Sequence, residues 1–198
     1  MEANLNLIRQ RIDALLASGA RVLVAIDGSA AAGKTTLAAA LGAIYDCNVF
    51  HMDDFFLRPE QRTAERYAQP GGNVDYERFR EEVLLPLKMG VPFAYRPFSC
   101  KTFSLRDAVE VTPKALNIVE GTYCLHPFFG DVYDWKLFLS IDPDLQRQRI
   151  SQRPQHLQER FFTDWIPMEK LYFDFFHIPE QSDLYLDMSQ QTITAQNP

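Results

Sequence analysis

Apolar residues first recur at helical spacing over residues 3–18, where Leu5, Ile8, Ile12, Leu15 and Leu16 fall on one face. Ser18-Gly19 ends that run as a helix C-terminus. The pattern then changes. Val22-Leu23-Val24-Ala25-Ile26-Asp27 is short, apolar and β-branched and is stopped by a glycine, which predicts a strand buried on both faces. The alanine-rich Thr36-Leu37-Ala38-Ala39-Ala40-Leu41 predicts a helix. Cys47 to Met52 reads as a second strand with Asp53-Asp54 at its C-terminal end. Residues 54–74 carry no periodicity, and irregular segments of that length are usually functional or disordered. A helix is predicted from Asp75 to about Lys88, with Phe79, Val83, Leu84 and Leu87 on one face and Pro86 perturbing its end. Val91 to Thr112 is rich in aromatics and turns, with room for a short hairpin. Further strands are predicted over Leu116–Glu120, Trp135–Ile141 and Ser182–Met188. Between the last two, Asp142-Pro143-Asp144 marks a helix start, and an aromatic-rich helical region spans about 157–177. Gln190 to Pro198 reads as a frayed end. Strands alternating with helices predict a parallel sheet covered on both faces.

One stretch gives this frame a chemistry. Gly28-Ser29-Ala30-Ala31-Ala32-Gly33-Lys34-Thr35 fits the phosphate-binding pattern G-x-x-x-x-G-K-[ST], and it lies between a predicted strand and a predicted helix, as that pattern requires. Glycines let backbone N–H groups converge on a phosphate. The helix adds the positive end of its dipole, roughly half a charge. The expected nucleotide-binding residues are Gly28, Ala30, Ala31, Ala32, Gly33, Lys34, Thr35 and Thr36. Lys34 should reach the β- and γ-phosphates, and the Thr35 hydroxyl should ligate Mg²⁺.

Composition narrows the class without changing the picture. The 198 residues are 46% hydrophobic and 23% charged, ordinary for a soluble globular chain and enough for one domain, or one domain with a lid. A net charge of −6 argues against nonspecific binding to nucleic acid or to an acidic membrane as the main task. Cys47, Cys100 and Cys124 lie far apart with no C-x-x-C, which suggests free thiols in a reducing, cytoplasmic setting. No apolar run approaches membrane-spanning length, and no basic-then-apolar start suggests a secretory leader.

Other residues can carry chemistry. Asp53 or Asp54, just past the second strand, can accept a proton from an attacking hydroxyl or hold Mg²⁺ through water, although a helix cap or a solvated turn would also explain them. Glu120 ends an apolar strand as a Walker-B acid does; a solvated strand end is the alternative, and the apolar residues before it and the glycine after it favour the functional reading. Arg147, Arg149, Arg153 and Arg160 crowd one region. Arg149 and Arg153 are four apart and are expected to share a helical face, where a pair can clamp phosphates. His51, His126, His156 and His177 show no metal spacing, and His51, two residues before Asp53 and so on the same side of the strand, is expected to stand behind the site rather than to bind metal.

In these motifs and their order, over most of residues 20–188, the chain resembles the uridine kinase and phosphoribulokinase group of P-loop kinases. The resemblance rests on Gly28 to Thr35, on Met52-Asp53-Asp54-Phe55-Phe56, on Asn73-Val74-Asp75, on Pro92-Phe93-Ala94-Tyr95 and on Val119-Glu120-Gly121. It implies Asp53 as general base, Asp75 as the ligand of sugar hydroxyls, Tyr95 as a substrate-site tyrosine, and Arg149 and Arg153 as lid arginines. Phe98, near Tyr95, could stack with it on a flat ring. The pyrimidine-reading histidine of the nucleoside kinases has no match; Cys100 stands near its place, and Arg153-Pro154 stands where the lid's Arg-Asp is usual.

The expected fold is therefore α/β, a P-loop NTPase-type three-layer sandwich with a five-stranded parallel sheet and a helical lid. The whole chain, 1–198, is expected to form a single kinase domain, with a substrate-binding insertion over about 54–104 and a lid over about 145–178. The expected activity is ATP- and Mg²⁺-dependent phosphorylation of a hydroxyl on a small molecule, a nucleoside first among them. Lys34, Asp53, Arg149 and Arg153 would be catalytic, Asp53, Asp75, Tyr95 and Phe98 would meet the acceptor, and Thr35 and Glu120 would hold the metal. A pantothenate-like or vitamin-riboside acceptor, or a nucleotide-dependent regulatory ATPase, are the alternatives. No nucleic-acid or membrane partner is expected, and a homo-oligomer is left open.

Overall fold

The computed structural model describes residues 2–189; the frayed end expected over 190–198 lies outside them. Helix α1 (Glu2–Leu16) precedes strand β1 (Val22–Gly28), and helix α2 (Lys34–Ile44) leads to β2 (Cys47–His51). A 3₁₀ turn (Met52–Phe55) and short α3 (Ala64–Tyr67) begin the irregular segment. Then come α4 (Tyr76–Phe79) and α5 (Leu85–Met89), and two hairpins, β3 (Phe93–Tyr95) with β6 (Val109–Val111) and β4 (Phe98–Ser99) with β5 (Ser104–Leu105). Strands β7 (Leu116–Glu120) and β8 (Trp135–Ser140) follow, then α6 (Pro143–Ser151), α7 (Gln155–Arg160), α8 (Ile166–Phe176) and β9 (Leu184–Asp187).

Five strands form one parallel sheet in the order β2-β7-β1-β8-β9. The residues of β1 divide between its two faces. Val22, Val24 and Ile26 pack with Ile8 and Ile12 of α1 and with Leu37, Ala38 and Leu41 of α2. Leu23 and Ala25 join Phe50, Phe55, Phe79, Val83 and Tyr172 on the opposite face. Each fully buried side chain of this size contributes about 1.5–3 kcal/mol, so a one-residue slip would cost both layers at once. A third, smaller cluster joins Ala30 to Ile150, Phe161 and Trp165, tying the α6–α8 region to the loop after β1.

Two helices deviate from the expected regularity for the same reason. A π turn, Arg80–Leu84, separates α4 from α5, and another, Phe161–Trp165, separates α7 from α8. Each ends two residues before a proline, Pro86 and Pro167. Proline lacks the N–H that would bond four residues back, and the ladder widens ahead of it. Leu85 N–H reaches the Arg80 carbonyl and Ile166 N–H reaches that of Phe161.

Candidate active site

Sheet register brings the site together. Ile26 pairs with Glu120 and Glu120 with His51, so the ends of β1, β7 and β2 lie side by side. The loop after β1 turns through Gly28 (φ 139°), Ala31 (φ 60°) and Gly33 (φ 99°). Gly28 is required sterically as well, since a Cβ there would overlap the Leu139 carbonyl of β8. Helix α2 opens with no side-chain cap and no acid in its first turn, which leaves its N-terminal dipole to an anion. The Lys34 ammonium is buried and donates to the carbonyls of Gly28 (2.7 Å) and Ser29 (2.9 Å).

Thr35 Oγ1 donates to Glu120 Oε1 at 3.1 Å, so the two residues expected to hold a metal are neighbours. A hydroxyl, a carboxylate, waters and phosphate oxygens are the donors Mg²⁺ takes in such sites, and these residues fit it. His51 Nδ1 lies 2.6 Å from the same Glu120 oxygen. That bond raises the His51 pKa, against burial, which lowers it. Asp53 and Asp54 do not extend the strand, as expected, but lie in the 3₁₀ turn. Their surroundings differ. Asp53 keeps part of its surface in solvent, yet the protein around it desolvates the carboxyl and raises its pKa, while Lys34 opposes that rise. Asp54 is also raised by burial, and the charges that lower it are His51, Arg106 and Arg78.

The arginines expected to act as a pair are placed apart. Arg149, in α6, donates from Nη1 to the Ala31 carbonyl at 2.9 Å. Helix α6 ends at Ser151, so Arg153 lies beyond it, and its guanidinium rests 5.2 Å from the Phe161 ring centroid. The expected shared helical face does not form, because Gln152 caps the helix before the turn from Arg149 to Arg153 is complete. Arg149→Ala should therefore lower the turnover number at least about tenfold, with a smaller rise in the KM for ATP. Arg153→Ala should do less. Steady-state kinetics on both variants checks this, and equal losses would return them to one function.

Asp75 caps α4, accepting Arg78 N–H on Oδ1 at 3.2 Å. Among the described residues its Oδ2 has no hydrogen-bond partner, and it lies 3.5 Å from Nε of both Arg58 and Arg78. Asn73 Oδ1 is likewise buried without a hydrogen-bond partner. Asp75→Ala should cost about 1 kcal/mol through the lost cap alone, and more by unpairing two arginines. Asp75→Asn keeps the cap, so a thermal-melting comparison of the two isolates that structural share. The rings expected to stack on an acceptor are covered. Tyr95, 7% exposed, stacks on Phe55 (5.5 Å) and meets Phe50 edge-on (5.9 Å). Phe98, 4% exposed, has the Arg62 guanidinium 5.5 Å from its centroid.

Several residues were not expected in the site. Gln146 Nε2 donates to the Ala30 carbonyl (3.0 Å), and the buried Glu169 of α8 accepts Ala30 N–H on Oε2 (2.9 Å). Thr122 Oγ1 lies 2.9 Å from the Gly28 carbonyl. Asp27, at the end of β1, is buried and accepts the Tyr172 hydroxyl at 2.9 Å. One sequence signal for Glu169 existed: it is the single acid on the α8 stripe that also carries Tyr172 and Phe176.

No protein-family model matches the chain, and no curated protein matches it in sequence. Solved structures do. A possible uridine kinase from Bacillus stearothermophilus superimposes with a TM-score of 0.64 at 21% identity, covering 91% of this chain and 99% of its own. A candidate fructose transport system kinase from Silicibacter sp. TM1040 gives 0.60 at 22% identity, covering 84% and 90%. The YGR205w protein gives 0.60 at 13% identity, covering 94% and 93%. Two of these neighbours carry kinase names, and what the chain shares with all three is the fold, an α/β arrangement around a five-stranded parallel sheet.

Proposed function

We propose that this chain transfers the γ-phosphoryl group of ATP, with Mg²⁺, to a hydroxyl of a small molecule. One observation carries the reading: Thr35, at the uncapped start of α2, bonds Glu120, which pairs with His51, two residues before Asp53. In this reading the loop amides and Lys34 hold the β- and γ-phosphates. Thr35, with Glu120 through a water, would hold Mg²⁺, which when bound neutralises phosphate charge. Asp53 accepts the acceptor's hydroxyl proton as its oxygen attacks phosphorus, and a pKa raised by desolvation makes it a stronger base. Arg149, already on the loop, stabilises charge on the transferring group.

The acceptor we favour is nucleoside-like. Its support is the Asn73-Val74-Asp75 pattern, whose two buried oxygens lack hydrogen-bond partners and could take up a diol's hydroxyls after local opening. With the Tyr95 and Phe98 rings covered, a base would be read loosely. A ribonucleoside should thus be preferred over its 2′-deoxy analogue, with weak discrimination between bases. A coupled ADP-release screen across nucleosides and vitamin alcohols tests both levels. Acceptor-dependent ADP formation is expected. Phosphorylation confined to acceptors without a ribose diol would overturn the nucleoside reading, and slow ATP hydrolysis indifferent to every acceptor would overturn the kinase.

A further inference from the structure

Two buried carboxylates flank the phosphate loop, and they have very different donors. Asp27 receives four: Gly28 N–H (2.7 Å) and Tyr123 N–H (3.3 Å) on Oδ1, Leu125 N–H (2.9 Å) and the Tyr172 hydroxyl (2.9 Å) on Oδ2. That set suits an ion. Glu169, 7% exposed, receives Ala30 N–H on Oε2, and among the described residues the hydrogen-bonding neighbour of its Oε1 is Thr122 Oγ1, at 3.4 Å. A hydroxyl has one hydrogen, and the Gly28 carbonyl 2.9 Å away can only accept it. Thr122 therefore donates to Gly28 and turns a lone pair toward Glu169. A proton on Oε1 converts that contact into a hydrogen bond donated by Glu169.

The surroundings agree with the geometry. Burial raises the Glu169 pKa to about 7, opposed by Lys34 of α2, by Ala30 N–H and, least of all, by the Thr122 contact, while Asp27 of β1 adds to the rise. Asp27 itself is raised only to about 6. The other ionisable groups packed here are Tyr123, after β7, and Tyr172, whose hydroxyl is committed to Asp27. From α6, Gln146 and Arg149 hold the carbonyls of Ala30 and Ala31. These contacts brace a backbone that needs it: Ala31 is a non-glycine residue at φ 60°, a conformation costing roughly 1 kcal/mol.

We propose that Glu169 is a positioning residue of the phosphate loop that works as the neutral acid, so that nucleotide binding draws a proton onto it. The neutral acid keeps Ala30 N–H in place through Oε2 and sets no negative charge beside an arriving polyphosphate. The proton comes from solvent and rests on Oε1, donated to Thr122 Oγ1. The proposal rests on the nucleotide-binding half of the kinase reading.

Calorimetry with Mg²⁺ and a non-hydrolysable ATP analogue, at pH 8 in buffers of different ionisation enthalpy, tests it. The wild-type chain should take up about half a proton more than Glu169→Gln, whose amide accepts from Ala30 and donates to Thr122 as the neutral acid does. Between pH 6.5 and 8.5 wild-type affinity should fall roughly tenfold further than that of the Gln variant. Glu169→Ala should bind more weakly than Gln at every pH. Equal proton uptake with parallel pH profiles, or a Gln variant as weak as Ala, overturns the proposal while leaving nucleotide binding intact. No nucleotide heat from the wild type overturns the kinase reading and this proposal with it. Melting of the nucleotide-free chains reads the neutral acid alone: Glu169 has a folded pKa above its unfolded one, so the wild type should lose stability relative to Gln as pH rises from about 4.5 to 7. A difference that does not vary with pH overturns that assignment.

Discussion

Lys34→Ala should lower acceptor-dependent ADP formation by at least about a hundredfold, some 2.7 kcal/mol of transition-state stabilisation. Phosphoryl transfer asks little covalent chemistry of a protein, so most of the rate comes from positioning and from fixed charge. Lys34 is the ammonium of the loop, and its Nζ already sits over the Gly28 and Ser29 carbonyls at the base of the cradle. Alanine removes that charge and leaves the rest. Gly28 still clears the Leu139 carbonyl, Gly33 still turns at φ 99°, and α2 still begins at residue 34, where alanine is the best helix former. The loss should therefore appear in turnover, with the melting temperature falling only by what the two carbonyls lose with their donor. A variant that turns over near the wild-type rate would remove the loop from the chemistry.

Asp53→Asn should lower the turnover number by about a hundredfold or more, and Asp54→Asn by less. Alternation along a strand would separate these neighbours, but the strand has ended, and the 3₁₀ turn separates them in another way. Both are coupled to His51 and Glu120, but Asp53 is also coupled to Lys34 of the loop, whereas Asp54 is also coupled to Arg106 and Arg78. In the proposed reading, the coupling to Lys34 makes Asp53 the one that meets the acceptor hydroxyl. Asparagine keeps the shape and an acceptor oxygen but cannot take the proton. The wild-type rate should also fall at acid pH, with its midpoint above the ordinary carboxylate value of 3.8, because a base must be ionised to act. Paired kinetic profiles of the two variants decide the assignment. If Asp54→Asn proved the more damaging, the base would lie one residue on.

The sequence by itself determined the sheet, the loop and the order of the elements. The strand expected over Leu116–Glu120 forms over those residues, and Asp142 caps α6 with Pro143 at its first turn. These features are written in short windows: a β-branched run, a cap before a proline, a glycine pattern between a strand and a helix. Thr35 and Glu120 were legible as well, since each sits at a fixed offset from a motif, and parallel pairing then brings them together.

Only the tertiary structure decided the rest. Arg149 and Arg153 look equivalent at a spacing of four, but the helix stops between them, and one reaches the loop while the other rests on Phe161. Asp75 fits a sugar-binding pattern and also caps a helix between two arginines. Tyr95 and Phe98 look like free platforms until Phe55 and Arg62 cover them. Glu169 meets Ala30 across 139 positions of sequence, and Tyr172 meets Asp27 across 145. No local pattern encodes such pairs, because burial and the partners that desolvate or satisfy a side chain exist only after distant segments have packed. Protonation depends on those same partners, which is why the two acids beside the loop differ although their sequences do not say so.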